Sequence, residues 1–243
     1  MERATYDRLR HQEQHHWWFV GRRAILAAEI ERLRLPPQPK ILEAGCGTGG
    51  NLALLSQFGQ VCAIEPDAPS RDYAATRSRV DVREGWLPDG LPDFSHQFDL
   101  VCAFDVVEHV EDDAGAIAAL AGQLAPGGRL MITVPAYGWL WSAHDVAHHH
   151  KRRYVRSALR QRLSQAGLQV RRLTYFNTLL FPPIAALRLG RRVLGREGGD
   201  DEALPAPAIN SVLSGMFAAE ARLLDRSTLP FGVSLLAVAE PAH

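Results

Sequence analysis

The chain has 243 residues, of which 47% are hydrophobic, so it is large and apolar enough for one α/β domain and is not disordered throughout. Lysine and arginine together number 27, as do aspartate and glutamate, so no overall positive charge draws the protein to nucleic acid. We therefore predict no nucleic-acid partner.

The sequence also predicts a compartment. The polar N-terminal stretch MERATYDRLRHQEQ predicts no signal peptide. The longest apolar stretch, LTYFNTLLFPPIAALRLG, predicts no transmembrane segment because four residues interrupt it: Asn177, Pro182, Pro183 and Arg188. The three cysteines are odd in number and fall in or beside apolar runs, which suits a reducing compartment: Cys46, Cys62 and Cys102. We predict a cytoplasmic protein.

Strand and helix signals alternate along the chain. The aromatic segment HQEQHHWWFVGRRAIL predicts an N-terminal helix, and apolar runs typical of buried parallel strands follow from Lys40: KILEAG, VCAIEP, FDLVCAFDVV and RLMITVP. Helical patterns lie between them: GNLALLSQFG, APSRDYAATRSR and DDAGAIAALAGQLAPGG, the last expected to stop before Gly127 and Gly128. The alternation predicts an α/β protein with a doubly wound sheet.

The second half of the chain continues the pattern. VRSALRQRLSQAGLQVRRLTYF predicts a helix, a stop at Gly167 and a further strand. Residues 190–208 are rich in glycine, proline and charge, and we expect a mobile loop there. The closing stretch FGVSLLAVAEP predicts a strand that returns to the sheet.

The stretch ILEAGCGTGG ends the first strand signal in a glycine-rich turn, which lets backbone N–H groups approach a ligand. Gly45, Gly47 and Gly50 match G-x-G-x-x-G, and Glu65 ends the next strand signal, where a carboxylate accepts from ribose hydroxyls. Taken alone, this pattern suggests a dinucleotide. Glu43 favours another ligand, because a carboxylate beside the turn repels a pyrophosphate and suits a cationic or amino-bearing molecule.

Several motifs agree jointly over Lys40 to Pro135: ILEAGCGTGG, AIEPD, REGWLP, FDLVCAFDVVEHVED and LAPGGRLMITVP. In this order and spacing they resemble the class I S-adenosylmethionine-dependent methyltransferases. The closing sequence NSVLSGMFAAEARLLDRSTLPFGVSLLAVAE is similar to uncharacterised members that also carry an N-terminal HWWF element. The resemblance implies a Rossmann-like, seven-stranded sheet with an N-terminal helical lid and C-terminal cap elements, and S-adenosylmethionine as the cofactor.

The resemblance also implies roles for individual residues. The glycines make room for the methionine part of the cofactor, Glu43 lies near its ammonium, Glu65 holds the ribose and Trp86 with Leu87 lies along the adenine. The full set of implied cofactor contacts is Arg22, Glu43, Ala44, Gly45, Gly47, Thr48, Gly49, Glu65, Pro66, Gly85, Trp86, Leu87, Phe104, Asp105 and Val106.

We interpret residues 1–243 as one methyltransferase domain. Its parts are a helical lid (1–36), a cofactor-binding core (37–176), a cap or acceptor region (177–230) and a returning strand (231–243). In the lid, Trp18 is a candidate substrate contact and Arg22 a candidate partner of the cofactor carboxylate. Alternatively, the tryptophans only dock the helix and the arginines are solvated.

The stretch WSAHDVAHHHKRRY follows the strand signal RLMITVP and contains an H-x-R-R-Y element that many members of the superfamily carry. His150 is a candidate catalytic residue, and Asp145 and Tyr154 are candidate substrate contacts. His109, just past the strand signal FDLVCAFDVV, is a second catalytic candidate. His144 and His148 have the spacing of metal ligands on a helix face, but no further ligand is evident, so no metal is predicted. A loop that only caps the next helix is the alternative.

The predicted function is methyl transfer to a small-molecule or lipid-like acceptor, and the region from 173 to 229 suits either an apolar acceptor pocket or contact with an anionic membrane surface. The sequence leaves open the methylated atom and the oligomeric state. One alternative is an NAD(P)-dependent oxidoreductase, which Glu43 and the absence of a Tyr-x-x-x-Lys pair oppose. The other is a non-catalytic, cofactor-binding partner subunit.

Overall fold

A mixed sheet forms the centre of the computed structural model, which describes residues 10–194 and 203–242. Within these ranges its seven strands lie in the order β3-β2-β1-β4-β5-β7-β6, and only β7 runs antiparallel to its neighbours. The strands are β1 (Lys40–Ala44), β2 (Gln60–Ile64), β3 (Asp81–Arg83), β4 (Phe98–Phe104), β5 (Leu124–Pro135), β6 (Leu168–Phe176) and β7 (Ser234–Pro241). The predicted doubly wound, seven-stranded fold is confirmed.

Helices cover both faces of the sheet. Those in the described ranges are α1 (Trp17–Arg32), α2 (Leu52–Leu55), α3 (Ala68–Ser78), α4 (Asp113–Ala121), α5 (Ala143–Ala147), α6 (Arg156–Gln165), α7 (Phe181–Val193) and α8 (Pro207–Arg226). Short 3-10 turns occupy Val107–His109 and Gly138–Leu140. No helix in the described part of the chain has the length and apolar character needed to cross a membrane.

Side-chain caps fix where two of these helices begin. Asp67 precedes α3 and accepts from the backbone N–H of Ser70 at 3.0 Å. Asp112 precedes α4 and accepts from the N–H of Gly115 at 2.9 Å. Each carboxylate satisfies an N–H that lacks a partner within its helix, so the sequence itself sets these starts.

The N-terminal helix α1 docks on α8. Trp18 lies 5.2 Å from Phe217 and stacks on Phe176 of β6, measured between ring centroids. Gly21 faces Phe217 so closely that a β-carbon on Gly21 would lie 2.5 Å from its ring. A glycine is needed there for the two helices to approach, and the tryptophans do bury apolar surface as docking residues.

Three sequence expectations about elements need correction. The helix over DDAGAIAALAGQLAPGG ends at Ala121, and Gly127 and Gly128 lie inside β5, because the chain pairs with Phe98 of β4 from Leu124 onward. The loop expected over 190–208 is shorter, since α7 reaches Val193 and α8 begins at Pro207. Residues 195–202 of the expected loop lie outside the described residues. The sequence reading also missed the three-residue strand β3.

Candidate functional site

A cavity of about 440 Å³ lies beyond the carboxyl ends of β1, β4 and β5. We call it the central cavity. Its floor is the glycine turn after β1 and the end of β4; its other walls come from the start of α1, the α5 region and α7. This is the edge at which open α/β sheets bind ligands. The two flanking segments singled out in the sequence, around Trp17–Arg23 and around His144–Arg153, therefore line the same cavity.

The glycine turn presents backbone to the cavity. Gly45, Gly47 and Gly49 have φ values of +70°, +55° and +84°, a region that favours glycine. A β-carbon on Gly47 would meet nothing within 4 Å, so the space in front of it is open. The N–H of Gly47 donates to Oε2 of Glu65 at 2.8 Å, and the N–H of Asp67 donates to Oε1 at 3.0 Å. Glu65 thus ties the end of β2 to the glycine turn.

Glu43 is fully buried beneath this turn. Its Oε1 accepts from Nδ2 of Asn51 at 2.8 Å, while its Oε2 has no hydrogen-bond partner. Burial raises the pKa of Glu43 to about 7, although the hydrogen bond from Asn51 and the positive charge of Arg22 act to lower it. The site therefore holds an unsatisfied buried acceptor directly behind the glycine turn.

The end of β4 is tied to α1 across the cavity. Arg22 forms an ion pair with Asp105 through Nη1 and Oδ2. The other oxygen of Asp105 accepts from Oγ1 of Thr133 at 3.2 Å. Asp105 has φ +56°, an uncommon conformation for a residue other than glycine, and it turns the chain immediately after the strand.

Asp145 organises the α5 region. It is fully buried and accepts from Arg153 through both oxygens, Nε at 2.7 Å and Nη2 at 2.9 Å. Nδ1 of His150 lies 2.8 Å from its Oδ1. Burial acts to raise the pKa of Asp145, but the hydrogen bonds from His150 and Arg153 hold it well below its usual range. The ionised carboxylate accepts the Nδ1 proton, which leaves Nε2 of His150 for contacts in the cavity.

Glu108 and His109 follow β4 in a 3-10 turn and line the same cavity. Glu108 has no exposed surface, and neither of its carboxylate oxygens has a hydrogen-bond partner. Burial and the negative charge of Asp105 raise its pKa well above the ordinary value. Burial, together with the nearby His150 and His148, lowers the pKa of His109 to about 3, so its imidazole is neutral. The rings of His109 and His150 lie 4.7 Å apart.

Some residues proposed from sequence line the central cavity and others do not. Those that line it are Trp18, Arg22, Gly45, Gly47, Thr48, Phe104, Asp105, His109 and His150. Those outside its lining are Glu43, Ala44, Gly49, Glu65, Pro66, Gly85, Trp86, Leu87, Val106, Asp145 and Tyr154. Tyr154 is buried and donates to Oδ2 of Asp113 at 2.8 Å, and it packs in the core rather than at the cavity. Trp86 is 54% exposed.

The sequence reading missed Glu13, which the fold brings to the glycine turn. Its Oε2 accepts from Oγ1 of Thr48 at 2.7 Å, and its Oε1 pairs with Arg77 at 2.7 Å. Asn51 and Glu108 were also missed. No local pattern marks Glu13, because its partners lie 35 and 64 residues away. Glu108 did carry a signal, since it stands beside His109 directly after a strand.

The family model described as "Methyltransferase domain" matches residues 9–173, more than half of the chain. The chain belongs to this family. The resemblance to class I S-adenosylmethionine-dependent methyltransferases is thereby confirmed, whereas the likeness through the HWWF element stays a prediction.

Relatives of this methyltransferase domain include larger proteins. The biotin biosynthesis bifunctional protein BioCD of Bordetella avium is 34% identical, over 54% of this chain and 29% of the relative. A probable S-adenosylmethionine-dependent methyltransferase of Mycolicibacterium smegmatis is 31% identical, over 54% and 52%. The ubiquinone biosynthesis O-methyltransferase of Marinobacter nauticus is 28% identical, over 63% and 73%. The matches to the Bordetella and Mycolicibacterium proteins thus span about half of each relative or less.

Solved structures share the fold. The complex of the Haloferax volcanii Trm112 methyltransferase activator with a methyltransferase contains a chain that superposes with a TM-score of 0.60. The match covers 99% of this chain and 95% of that one, at 16% identity. It extends the shared fold beyond the matched family region, to α7, α8 and β7.

Proposed function

We propose that this protein transfers a methyl group from S-adenosylmethionine to a small acceptor bound in the central cavity. One observation carries the proposal: a cavity at the carboxyl edge of the sheet combines an open glycine turn on one side with His109 and His150 on the other. The family and the name of the Mycolicibacterium relative support the cofactor. A NAD(P)-dependent oxidoreductase is not favoured.

The residues present fit this cofactor. Gly47 leaves open space where a side chain would obstruct a ligand. Oε2 of Glu43 and Oδ1 of Asn51 are buried acceptors with no hydrogen-bond partner, which suits a ligand that brings an ammonium group. We assign the ammonium end to this corner, the ribose to Glu65 and the carboxylate to Arg22.

The chain's own side chains would do the following. When bound, S-adenosylmethionine supplies an electrophilic methyl group on a positively charged sulfur. Trp17 and Trp18 at the start of α1 line the cavity and exclude water from it. His150, held by Asp145, and His109 contact the acceptor and fix its nucleophilic atom in line with the methyl group. A hydroxyl acceptor would leave its proton with a residue of this pair.

The far wall of the cavity suggests the acceptor's shape. Ile184 and Leu187 of α7 line it together with Arg188 and Arg191. Apolar side chains beside guanidinium groups suit an amphiphilic acceptor with an apolar body and an anionic or polar group. The Marinobacter relative is named as an O-methyltransferase of ubiquinone biosynthesis, which supports a small-molecule acceptor. We place the reaction in the cytoplasm, where the free cysteines Cys46, Cys62 and Cys102 remain reduced.

Calorimetric titration tests the cofactor. S-adenosylmethionine and its demethylated product should bind, and NAD and NADP should not. Replacing Glu65 with Gln keeps the shape of the side chain but removes its charge, so affinity should fall about tenfold, or about 1.4 kcal/mol. Glu31→Gln, at an exposed position of α1, is the matched control. Tight binding of a dinucleotide, or an unchanged affinity in Glu65→Gln, would contradict this assignment.

A further inference from the structure

Histidine and acidic side chains converge on one wall of the central cavity. Each of Glu108, His109 and His150 offers one ligand atom, and these three atoms lie within 4.8 Å of one another. His144, His148 and His150 form a second, overlapping group under the same limit. Sequence spacing predicted no metal because only His144 and His148 stood at ligand spacing. The fold supplies the ligands that the spacing lacked, from two segments about 40 residues apart.

Within this cluster, the carboxylate of Glu108 is the group that a bound cation would stabilise. It is completely buried, lines the cavity, and accepts no hydrogen bond from another residue through either oxygen. Asp105, three residues earlier in the chain, is already paired with Arg22. A buried carboxylate without a partner is costly, and a bound cation in the cavity would compensate it.

Both imidazoles beside Glu108 are held in the way that metal-binding histidines usually are. Nδ1 of His150 is held by the carboxylate of Asp145 at 2.8 Å. His109 forms a hydrogen bond with the backbone of His148. In each ring one nitrogen is therefore fixed by the protein and the other is directed elsewhere. A carboxylate or carbonyl behind the histidine orients the ring and increases its basicity toward a metal.

We propose that Glu108, His109 and His150 bind a divalent transition-metal ion, with Zn²⁺ as the best-suited occupant. Two imidazoles and one carboxylate are a ligand set that zinc and iron(II) sites use with positions left open for substrate. Magnesium is disfavoured because it prefers oxygen ligands and water.

Little movement is needed to close the site. In a tetrahedral zinc site with bonds of about 2.1 Å, ligand atoms are roughly 3.4 Å apart. Because the three ligand atoms lie within 4.8 Å of one another, closing the site requires a contraction of at most about 1.4 Å, within reach of small rotations of His109 and His150.

This inference deepens the proposed function, and only its consequence for the acceptor rests on that function. A metal at this wall would occupy the place assigned to the acceptor's nucleophilic group. It would hold a hydroxyl or carboxylate oxygen of the acceptor directly and stabilise negative charge on it. The acceptor class would then be an oxygen nucleophile rather than an amine.

The test is metal binding by the full-length protein after removal of metal with a chelator. Cobalt(II) is the probe, because its visible absorption reports ligand number and geometry. One equivalent should bind with the spectrum of a four- or five-coordinate site, and Zn²⁺ should displace it. Glu108→Gln, which conserves shape, should weaken cobalt binding about tenfold or more. His109→Ala and His150→Ala should do the same. His96→Ala, a histidine outside the cluster, is the matched control.

The possible results distinguish failure of the metal site from failure of the proposed cofactor. Absence of a cobalt spectrum in the wild-type protein overturns the site, as does a spectrum that survives Glu108→Gln but is lost in His144→Ala. Circular dichroism of each metal-free variant checks folding, and Glu108→Gln keeps the test informative if a histidine variant fails to fold. Calorimetry with S-adenosylmethionine on the same metal-free samples is independent. Cofactor binding without metal binding overturns only the metal site, and the reverse result overturns only the proposed cofactor.

Discussion

Arg22 of α1 and Asp105 at the end of β4 form an ion pair across the central cavity. The side chain of Arg22 is 9% exposed and that of Asp105 is 24% exposed, so solvent screens the pair only partly. Asp105 also accepts from Thr133, which fixes it to β5. The pair therefore couples the position of the N-terminal helix to the strand edge where the cofactor is proposed to bind.

Arg22→Ala should weaken the binding of S-adenosylmethionine. A guanidinium contributes about 1.5–3 kcal/mol through a charged hydrogen bond, which corresponds to roughly a tenfold to hundredfold rise in the dissociation constant. Calorimetry gives that constant. Arg32→Ala, at the other end of the same helix and paired with exposed Asp225, should leave the affinity unchanged. Equal affinities in wild-type protein and Arg22→Ala would mean that the cofactor carboxylate lies elsewhere.

Gly47→Ala should impair binding beyond its effect on stability. Gly47 has φ +55° and Gly127 has φ +79°, and a β-carbon at either would meet nothing within 4 Å. Both alanine variants should therefore lose about 1 kcal/mol of unfolding free energy from backbone strain. Of these two glycines, only Gly47 lines the cavity. Its alanine variant should therefore also lose cofactor affinity, by about tenfold or more, and the Gly127 variant should not. Urea denaturation and calorimetry measure the two effects. A parallel loss of affinity in Gly127→Ala would refute the argument.

Glu43→Gln should remove a pH dependence of stability. Burial raises the pKa of Glu43 to about 7 from an ordinary value of 4.5, against the lowering effects of Asn51 and Arg22. Between these values the folded protein keeps a proton that the unfolded chain releases. The stability that the folded protein gains by keeping this proton is thus fully present below pH 4.5 and is lost as pH rises toward 7.

Urea denaturation at a series of pH values checks this prediction for Glu43. The stability of Glu43→Gln relative to wild type should rise by about 3 kcal/mol from pH 4.5 to pH 7, because glutamine does not titrate. Glu31→Gln, on the exposed face of α1, should follow the wild-type curve. A constant difference between Glu43→Gln and wild type across this range would show that Glu43 titrates normally.

Trp86 should report cofactor binding by fluorescence. Trp86 is 54% exposed, and its ring lies over Gly90, where an added β-carbon would meet the ring at 2.2 Å. If adenine stacks there, binding of S-adenosylmethionine should shield Trp86 from acrylamide quenching. The change should become smaller in Trp86→Phe, where only Trp17 and Trp18 of the cavity lining would still report binding, and should persist in full in Trp139→Phe, which removes another exposed tryptophan. Persistence of the full change in Trp86→Phe would place the adenine away from this residue.

The sequence by itself determined the architecture and the glycine turn after β1, where we propose that the cofactor binds. Buried parallel strands are apolar on both faces, and the turn after β1 is rich in glycine. Both patterns are local, so each can be recognised from a short segment of sequence without knowledge of the rest of the fold. The predicted end of α4 was wrong because the prediction used local sequence alone. Local sequence favoured a helix running up to Gly127, but the chain from Leu124 onward pairs with β4 and forms β5 instead.

Only the tertiary structure decided which side chains meet one another around the cavity. Arg22 meets Asp105 across 83 residues of chain, and Glu13 meets Thr48 across 35. The metal site proposed at Glu108, His109 and His150 likewise joins a turn after β4 to a segment after α5. Such contacts depend on how strand ends and helices come together in space. The spacing of residues along the chain does not specify the distance between two side chains that are far apart in sequence.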